Sequence, residues 1–304
     1  MSKRLAERMK ERTLLSFEVF PPKTDKGLDK LKDCLEHLYA FRPDYISCTY
    51  GAGGTNVGRN LDVCRMIREA DNDTVPVTHF TCIGGTKEDI REKLQNYLDN
   101  GIDHMLAVRG DLPDGWTGTG GDFSYAVDLV SFVRSEFGDK FEIAVAGSPE
   151  GHISCRSLEA DIAHLKQKQD EGADYIMTQL TFDMEQFEYW LDAIRSAGIT
   201  MPVDVGVMPV LNRESVINMC LSRNGCAIPR KLAEIISHHW FDTDAEGKKR
   251  QDVLDAFREE GIEYTVDQIL QYMALGVEGI HLYALNTWEN STEILKRAGI
   301  RSVI

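Results

Sequence analysis

The sequence lacks three features that would each indicate a particular class of protein. No apolar run approaches the length of a membrane span, and the basic segment 1–15 has no apolar signal-peptide core, so we expect a short surface helix there and a cytoplasmic protein. None of the seven cysteines forms a C-x-x-C pair, which indicates reduced thiols rather than a disulfide framework or a zinc site. No G-x-G-x-x-G motif follows the first strand-like run, which argues against an open dinucleotide-binding sheet.

Positive charge is outnumbered by negative charge. Lys and Arg total 34 against 49 Asp and Glu, which gives a formal net charge of −15 at pH 7. Such a chain repels phosphate backbones, so nucleic acid is not expected as a partner, although a solubilising surface would explain the acidity equally well. Hydrophobic residues at 42% and charged residues at 27% are ordinary for a folded globular protein.

Eight short apolar runs alternate with segments of helical periodicity. The runs show little polar alternation, which is typical of parallel strands covered by helices. Three helical segments end in glycine just before a strand, in "DNGIDHML", "DEGADYIM" and "ALGVEGIHL". This pattern predicts an α/β fold, a (β/α)8 TIM barrel formed as a single domain over 1–304, with extra helices between strands 7 and 8 in 226–272. The predicted strands are 14–20, 44–50, 75–82, 104–110, 142–148, 174–180, 202–210 and 279–285.

Polar side chains concentrate where these strands end. Enzymes of this fold place their chemistry there, because the βα loops converge at that end of the barrel. Glu18 stands between Phe17 and Val19 in an otherwise apolar strand. It could face solvent or pair with a core arginine, but burial near a barrel mouth would raise its pKa toward values suited to a general acid.

The loop after the fourth strand has an ordinary and a functional interpretation. Arg109 and Asp111 flank Gly110, either as a local salt bridge or as a place where backbone approaches a flat ring while Asp111 accepts hydrogen bonds from it. His79 and His152 have no matching ligand at metal-binding spacing, so no metal site is predicted.

One helix offers a mixed polar face. Asp161, His164 and Lys168 share it at i, i+3 and i+7 spacing. Spacing alone favours a solvated charged face. A face that meets a ribose and a diphosphate would need the same residue types.

Together these residues lie in motifs that resemble the methylenetetrahydrofolate reductase family. The motifs run from residue 16 to residue 286 in the family's order, and their ordered combination is much more specific than any one of them. The resemblance implies a barrel that binds FAD at the carboxyl ends of its strands. It implies that NADH or NADPH reduces the flavin, which then passes hydride to 5,10-methylenetetrahydrofolate by a ping-pong mechanism. The motifs are "SFEVFPPK", "YISCTYGAGG", "HFTCIG", "NGIDHMLAVRGDLP", "YAVDLV", "SPEGH", "ADIAHLKQKQDEGADYIMTQLTFD" and "HLYALN".

The resemblance also implies roles for individual residues. Glu18 matches the family's general acid, which assists opening of the five-membered ring of the folate. Asp111 matches a catalytic aspartate near flavin and pterin, whose charge disfavours an anionic reduced flavin and stabilises a cationic iminium. Gln179 matches a substrate-contacting glutamine. The cofactor-binding positions are Thr49, Tyr50, Ala52, His79, Arg109, Gly110, Asp111, Tyr125, Ala126, His152, Asp161, His164, Lys168 and Tyr283.

Five positions depart from the family pattern. Ser148 stands where many bacterial members have tyrosine, and Gln167 where a basic residue is frequent near the FAD phosphates. Ser215, Met219 and Thr287 replace a glutamine, an aromatic residue and an arginine at substrate-binding positions. Two alternatives therefore stay open: direct hydride transfer without flavin, or a flavin- and folate-binding subunit that receives electrons from a partner protein. Family members are usually oligomers, so a homo-oligomer is expected.

Overall fold

The computed structural model is a closed barrel of eight parallel strands, in which each strand pairs with the next and β8 pairs with β1. It describes residues 4–50, 57–70, 73–112, 115–222, 225–243 and 247–300. All eight predicted strands are confirmed, although each ends one to three residues earlier than predicted, because the chain leaves the ladder to form the βα loop. The strands are β1 Leu14–Val19, β2 Tyr45–Cys48, β3 Val75–Thr81, β4 His104–Val108, β5 Glu142–Gly147, β6 Tyr175–Thr178, β7 Val203–Val207 and β8 Gly279–Tyr283.

Helices connect the strands and surround the barrel. Three of them, α8, α9 and α10, lie between β7 and β8, which confirms the predicted extra helices. Within the described part of the chain, no helix is long and apolar enough to cross a membrane. The helices are α1 Leu5–Met9, α2 Asp25–Leu38, α3 Val57–Glu69, α4 Lys87–Asp99, α5 Ala126–Phe137, α6 Leu158–Asp170, α7 Met184–Ser196, α8 Arg213–Cys220, α9 Arg230–His238, α10 Gln251–Ala274 and α11 Glu289–Arg297.

The short helix expected before the first strand is present as α1, but one of its faces is buried against the amino-terminal end of the barrel. Leu5 and Met9 are buried in an apolar cluster with Tyr45 and other residues of the strands. The Glu142 carboxylate accepts hydrogen bonds from the backbone N–H groups of Leu5 at 2.8 Å and Ala6 at 2.7 Å. These bonds satisfy donors of the first helical turn. Two apolar residues four positions apart form a buried face within an otherwise charged segment.

The three glycines predicted to end helices have positive φ angles. The angles are +73° at Gly101, +103° at Gly172 and +74° at Gly276. Glycine adopts this backbone conformation without the strain that a side chain would cause. Each of the three turns the chain from a helix toward the next strand.

Candidate active site

A large cavity opens at the carboxyl ends of the strands. Its volume is about 970 Å³, within the range of sites that hold a cofactor. Ala52 was also predicted to contact the cofactor, but it lies outside the described residues. The predicted site residues that line the cavity are Thr49, Tyr50, His79, Arg109, Gly110, Asp111, Tyr125, Ala126, His152, Asp161, His164, Lys168 and Gln179.

Five predicted site residues are not among the described residues that line this cavity. Glu18 and Tyr283 are paired neighbours on β1 and β8. Ser215 and Met219 lie on α8. Thr287 uses its hydroxyl within the turn after β8, where it donates to a backbone carbonyl three residues earlier at 3.1 Å. The ligand contacts of these five residues stay predictions.

The Glu18 carboxylate contacts a histidine that lines the cavity. Its Oε2 is 3.3 Å from Nε2 of His79, which lines the cavity, and 3.5 Å from Nε2 of His281. The Ser47 hydroxyl oxygen lies 3.2 Å from the Nε2 atoms of both histidines. Four adjacent strands, β8, β1, β2 and β3, supply these four side chains. Glu18 and His79 were predicted from the sequence, whereas His281 and Ser47 were not.

The two imidazoles control the charge of Glu18. Burial raises the pKa of Glu18, but the charge of His79 and the hydrogen bond and charge of His281 together lower it further, so the pKa lies below its ordinary value of 4.5. Burial also lowers the pKa of His79, by more than the Glu18 charge raises it. The expected rise in the pKa of Glu18 is therefore wrong for the protein alone, because the histidine partners were not foreseen.

A buried hydrogen-bonded chain continues from His281 into the barrel. Nδ1 of His281 is 2.7 Å from the Ser16 hydroxyl oxygen, and that hydroxyl donates to Oδ2 of Asp204 at 3.2 Å. The Tyr45 hydroxyl donates to the same carboxylate oxygen at 2.8 Å. Burial raises the pKa of Asp204 to about 6, while the His281 charge and the two hydroxyl donors oppose the shift. The side chains of His281, Ser16, Asp204 and Tyr45 are fully buried. The polar groups beneath Glu18 are therefore not accessible to solvent.

Helix α6 presents its mixed polar face to the cavity, where Asp161 and Lys168 are half-buried and His164 is exposed. The Lys168 ammonium donates to a backbone carbonyl of β5 at 3.0 Å, and burial lowers the pKa of this lysine. The Asp161 carboxylate accepts from the backbone N–H of His152 at 3.2 Å and from the Cys155 thiol at 3.3 Å. Nδ1 of His164 is 3.5 Å from the same thiol sulfur.

Three of these groups could also hold a metal ion. Each of them offers one ligand atom, and these atoms of Cys155, Asp161 and His164 lie within 4.8 Å of one another. Sulfur, carboxylate oxygen and imidazole nitrogen are all ligands that zinc accepts. This set was not predicted from the sequence, because Cys155 lies in the loop before α6 and belongs to no ligand motif.

The rim of the cavity carries the residues around Gly110. This glycine has a φ of +93°, and a Cβ atom added to it would lie 2.7 Å from a methyl carbon of Ile83. Both the backbone conformation and the packing therefore require glycine. Asp111, Tyr125 and Gln179 are exposed at this rim and line the cavity.

Comparison with known proteins gives consistent matches over nearly the whole chain. A family model described as Methylenetetrahydrofolate reductase matches residues 2–299. The chain is 34% identical over 294 residues to Methylenetetrahydrofolate reductase 1 of Schizosaccharomyces pombe, which covers 96% of this chain and 47% of that one. It is 34% identical over 288 residues to 5,10-methylenetetrahydrofolate reductase of Salmonella typhimurium, which covers 94% and 91%. The chain thus spans about half the length of its eukaryotic relatives and most of the bacterial one.

A solved structure has the same fold at low sequence identity. It is an uncharacterized protein from Clostridium thermocellum, described as binding two copies of 5-methyl-5,6,7,8-tetrahydrofolic acid. The TM-score is 0.63 at 12% identity, over 99% of this chain and 100% of that one. At this identity the likeness shows the fold alone.

Proposed function

The chain belongs to the methylenetetrahydrofolate reductase family, and on that premise we propose that it reduces 5,10-methylenetetrahydrofolate to 5-methyltetrahydrofolate, with FAD as cofactor and NADH or NADPH as electron donor. One observation carries the proposal. A carboxyl group on β1 contacts an imidazole in the wall of a cavity large enough for a flavin, and the rim of that cavity carries Asp111 and Gln179.

The walls of the cavity fit FAD chemically. Lys168 and Arg109 supply positive charge for a diphosphate. Asp161 offers a carboxylate to ribose hydroxyls, and Tyr125 an aromatic ring on which a flat group can stack. FAD, when bound, supplies the hydride chemistry, and the protein binds and orients it and excludes water.

The chemical step assigned to the protein itself is proton delivery to the folate. Opening the five-membered ring requires a proton on the departing nitrogen, which Glu18 supplies as general acid. His79 lines the cavity with its Nε2 atom 3.3 Å from the carboxylate, so it relays the replacement proton from solvent to Glu18. A ligand that fills the cavity removes water from Glu18 and so favours its neutral form. Asp111 stabilises the cationic iminium that accepts hydride.

The proposal is tested by an anaerobic experiment in two steps on protein loaded with FAD. NADH or NADPH should bleach the flavin absorbance, and methylenetetrahydrofolate should then restore it. Flavin that is reduced but never reoxidised by the folate would contradict the proposed substrate.

The same experiment separates the two alternatives. Folate reduction that survives complete removal of flavin would establish direct transfer from the nicotinamide. Flavin that neither nucleotide reduces, but that the folate reoxidises after chemical reduction, would establish a partner protein as electron donor.

The proposal includes a cytoplasmic location, a single catalytic domain over 1–304 and a homo-oligomer. Seven free cysteines fit a reducing compartment. The family resemblance supports the oligomer, and light scattering coupled to size exclusion measures its mass.

A further inference from the structure

Two cysteines in the cavity wall contact each other. Cys220 is the last residue of α8, Cys226 lies in the loop that follows, and both line the cavity. Their Sγ atoms are 3.8 Å apart. A disulfide has a sulfur–sulfur distance of about 2.05 Å, so a movement of less than about 2 Å brings the two atoms to bonding distance. Neither cysteine has a part in the proposed reduction.

The contact makes one of the two thiols more acidic. The contact with the Cys226 thiol lowers the pKa of Cys220, and the same contact raises the pKa of Cys226. Burial raises the pKa of the other five cysteines. The described residues include all seven, so Cys220 is the cysteine whose thiolate is favoured. The thiolate is the form that attacks a disulfide.

We propose that Cys220 and Cys226 form a reversible disulfide in the cavity wall when the protein meets a low-molecular-weight disulfide. The Cys220 thiolate attacks the reagent, forms a mixed disulfide and expels one thiolate. Cys226 then loses its proton and attacks the Cys220 sulfur, which expels the second half of the reagent. Two protein thiols are oxidised, the small disulfide is reduced to two thiols, and these take up the two protons.

One side of the new bond would lie in a loop that is already held by Glu150, a cavity-lining residue after β5. Its Oε1 accepts from the Thr181 hydroxyl at 2.6 Å, and its Oε2 accepts from the backbone N–H of Ala227 at 2.7 Å. Ala227 directly follows Cys226, so the disulfide would tie the end of α8 to a loop held on Glu150. Oxidation therefore fixes the cavity wall next to Leu180, which packs in the same apolar cluster as both cysteines.

The test is peptide mapping after oxidation with glutathione disulfide and alkylation of the remaining thiols. Arg223 lies between the two cysteines, so trypsin separates them into two peptides unless a disulfide joins these. We expect a linked pair, 214–223 with 224–230, that dithiothreitol separates. Cys220→Ser and Cys226→Ser should each abolish it, and circular dichroism checks that the variants are folded.

Cys155→Ser is the matched control. Cys155 also lines the cavity, but its thiol contacts Asp161 and His164 instead of a second sulfur. The linked pair should persist in this variant. Separately alkylated peptides, a stable glutathione adduct in the unmodified chain, or a link to Cys155 would each overturn the proposal. The measurement needs neither FAD nor turnover, so its result is independent of the proposed function.

Discussion

The barrel interior beneath Glu18 and the rim of the cavity use polar residues in opposite ways. In the interior, His281, Ser16 and Asp204 are fully buried and joined at 2.7 and 3.2 Å. At the rim, Tyr125 is 63% exposed. Buried polar groups are rigid and costly unless they are satisfied, whereas exposed ones keep their freedom until a ligand binds. Under the proposed function, the interior supports proton transfer, which needs fixed geometry. The rim supports ligand binding, which tolerates changes of residue.

The largest effect is expected at Glu18, where the two regions meet. Glu18→Gln keeps the shape of the side chain but removes the acid. We expect the reoxidation of reduced flavin by methylenetetrahydrofolate to slow by about 10²- to 10⁴-fold, the usual contribution of a general acid. Reduction of the flavin by the nicotinamide should be largely unchanged, and stopped-flow absorbance measures both steps. An equal loss in both steps would mean that Glu18 supports the fold rather than the proton transfer.

Lys168→Met should weaken FAD binding without changing the contacts in the barrel interior. The half-buried Lys168 side chain lines the cavity, and losing a charged hydrogen bond of roughly 1.5–3 kcal/mol should weaken FAD binding about 10- to 100-fold. Lys166→Met is the control, since Lys166 lies on the same helix but pairs with Asp170. Flavin fluorescence titration compares the two variants. Equal weakening by both would show a general charge effect instead of a contact at the cavity.

Asp204→Asn tests the barrel interior alone, through its effect on the free energy of unfolding. Because the folded pKa of about 6 lies above the ordinary value of 3.8, this group contributes stability that is complete below pH 3.8 and is lost as the pH rises through 6. Between pH 5 and pH 8 the unmodified chain should therefore lose roughly 1–1.5 kcal/mol that the variant, which does not titrate there, retains. Urea unfolding at both pH values measures the difference. A difference between the two proteins that is the same at both pH values would refute the shift.

The rim was easier to predict from the sequence than the interior. Loop residues such as Asp111 follow predicted strands and belong to local motifs, so their position at the barrel mouth follows from the fold. Asp204 and His281 each interrupt an apolar strand, as Glu18 does, and that signal was available. Their hydrogen-bond partners could not be predicted, because Ser16 and His281 are 265 positions apart and only barrel closure brings them together. The lowered pKa of Glu18 depends on the same long-range contacts.

The contact between Cys220 and Cys226 was also hard to predict from the sequence. Their spacing of six residues is visible in the sequence but has no motif behind it. The sulfur atoms lie 3.8 Å apart because Cys220, at the end of α8, and Cys226 line the same cavity wall. Spacing alone does not encode that geometry.

The smallest expected effect is at Ser148, which lines the cavity at a position where the family resemblance implies a tyrosine. Ser148→Tyr adds an aromatic ring to the wall, and an aromatic contact of about 0.5–1.5 kcal/mol should tighten FAD binding by roughly 2- to 10-fold. The pH dependence of flavin reoxidation by the folate should not move, because the variant leaves the contacts among Glu18, His79 and His281 unchanged. Titration of FAD and a pH series of the reoxidation rate measure the two properties separately. If tighter binding came with a shifted pH profile, rim and interior would be coupled, and the assignment of binding to one and proton transfer to the other would fail.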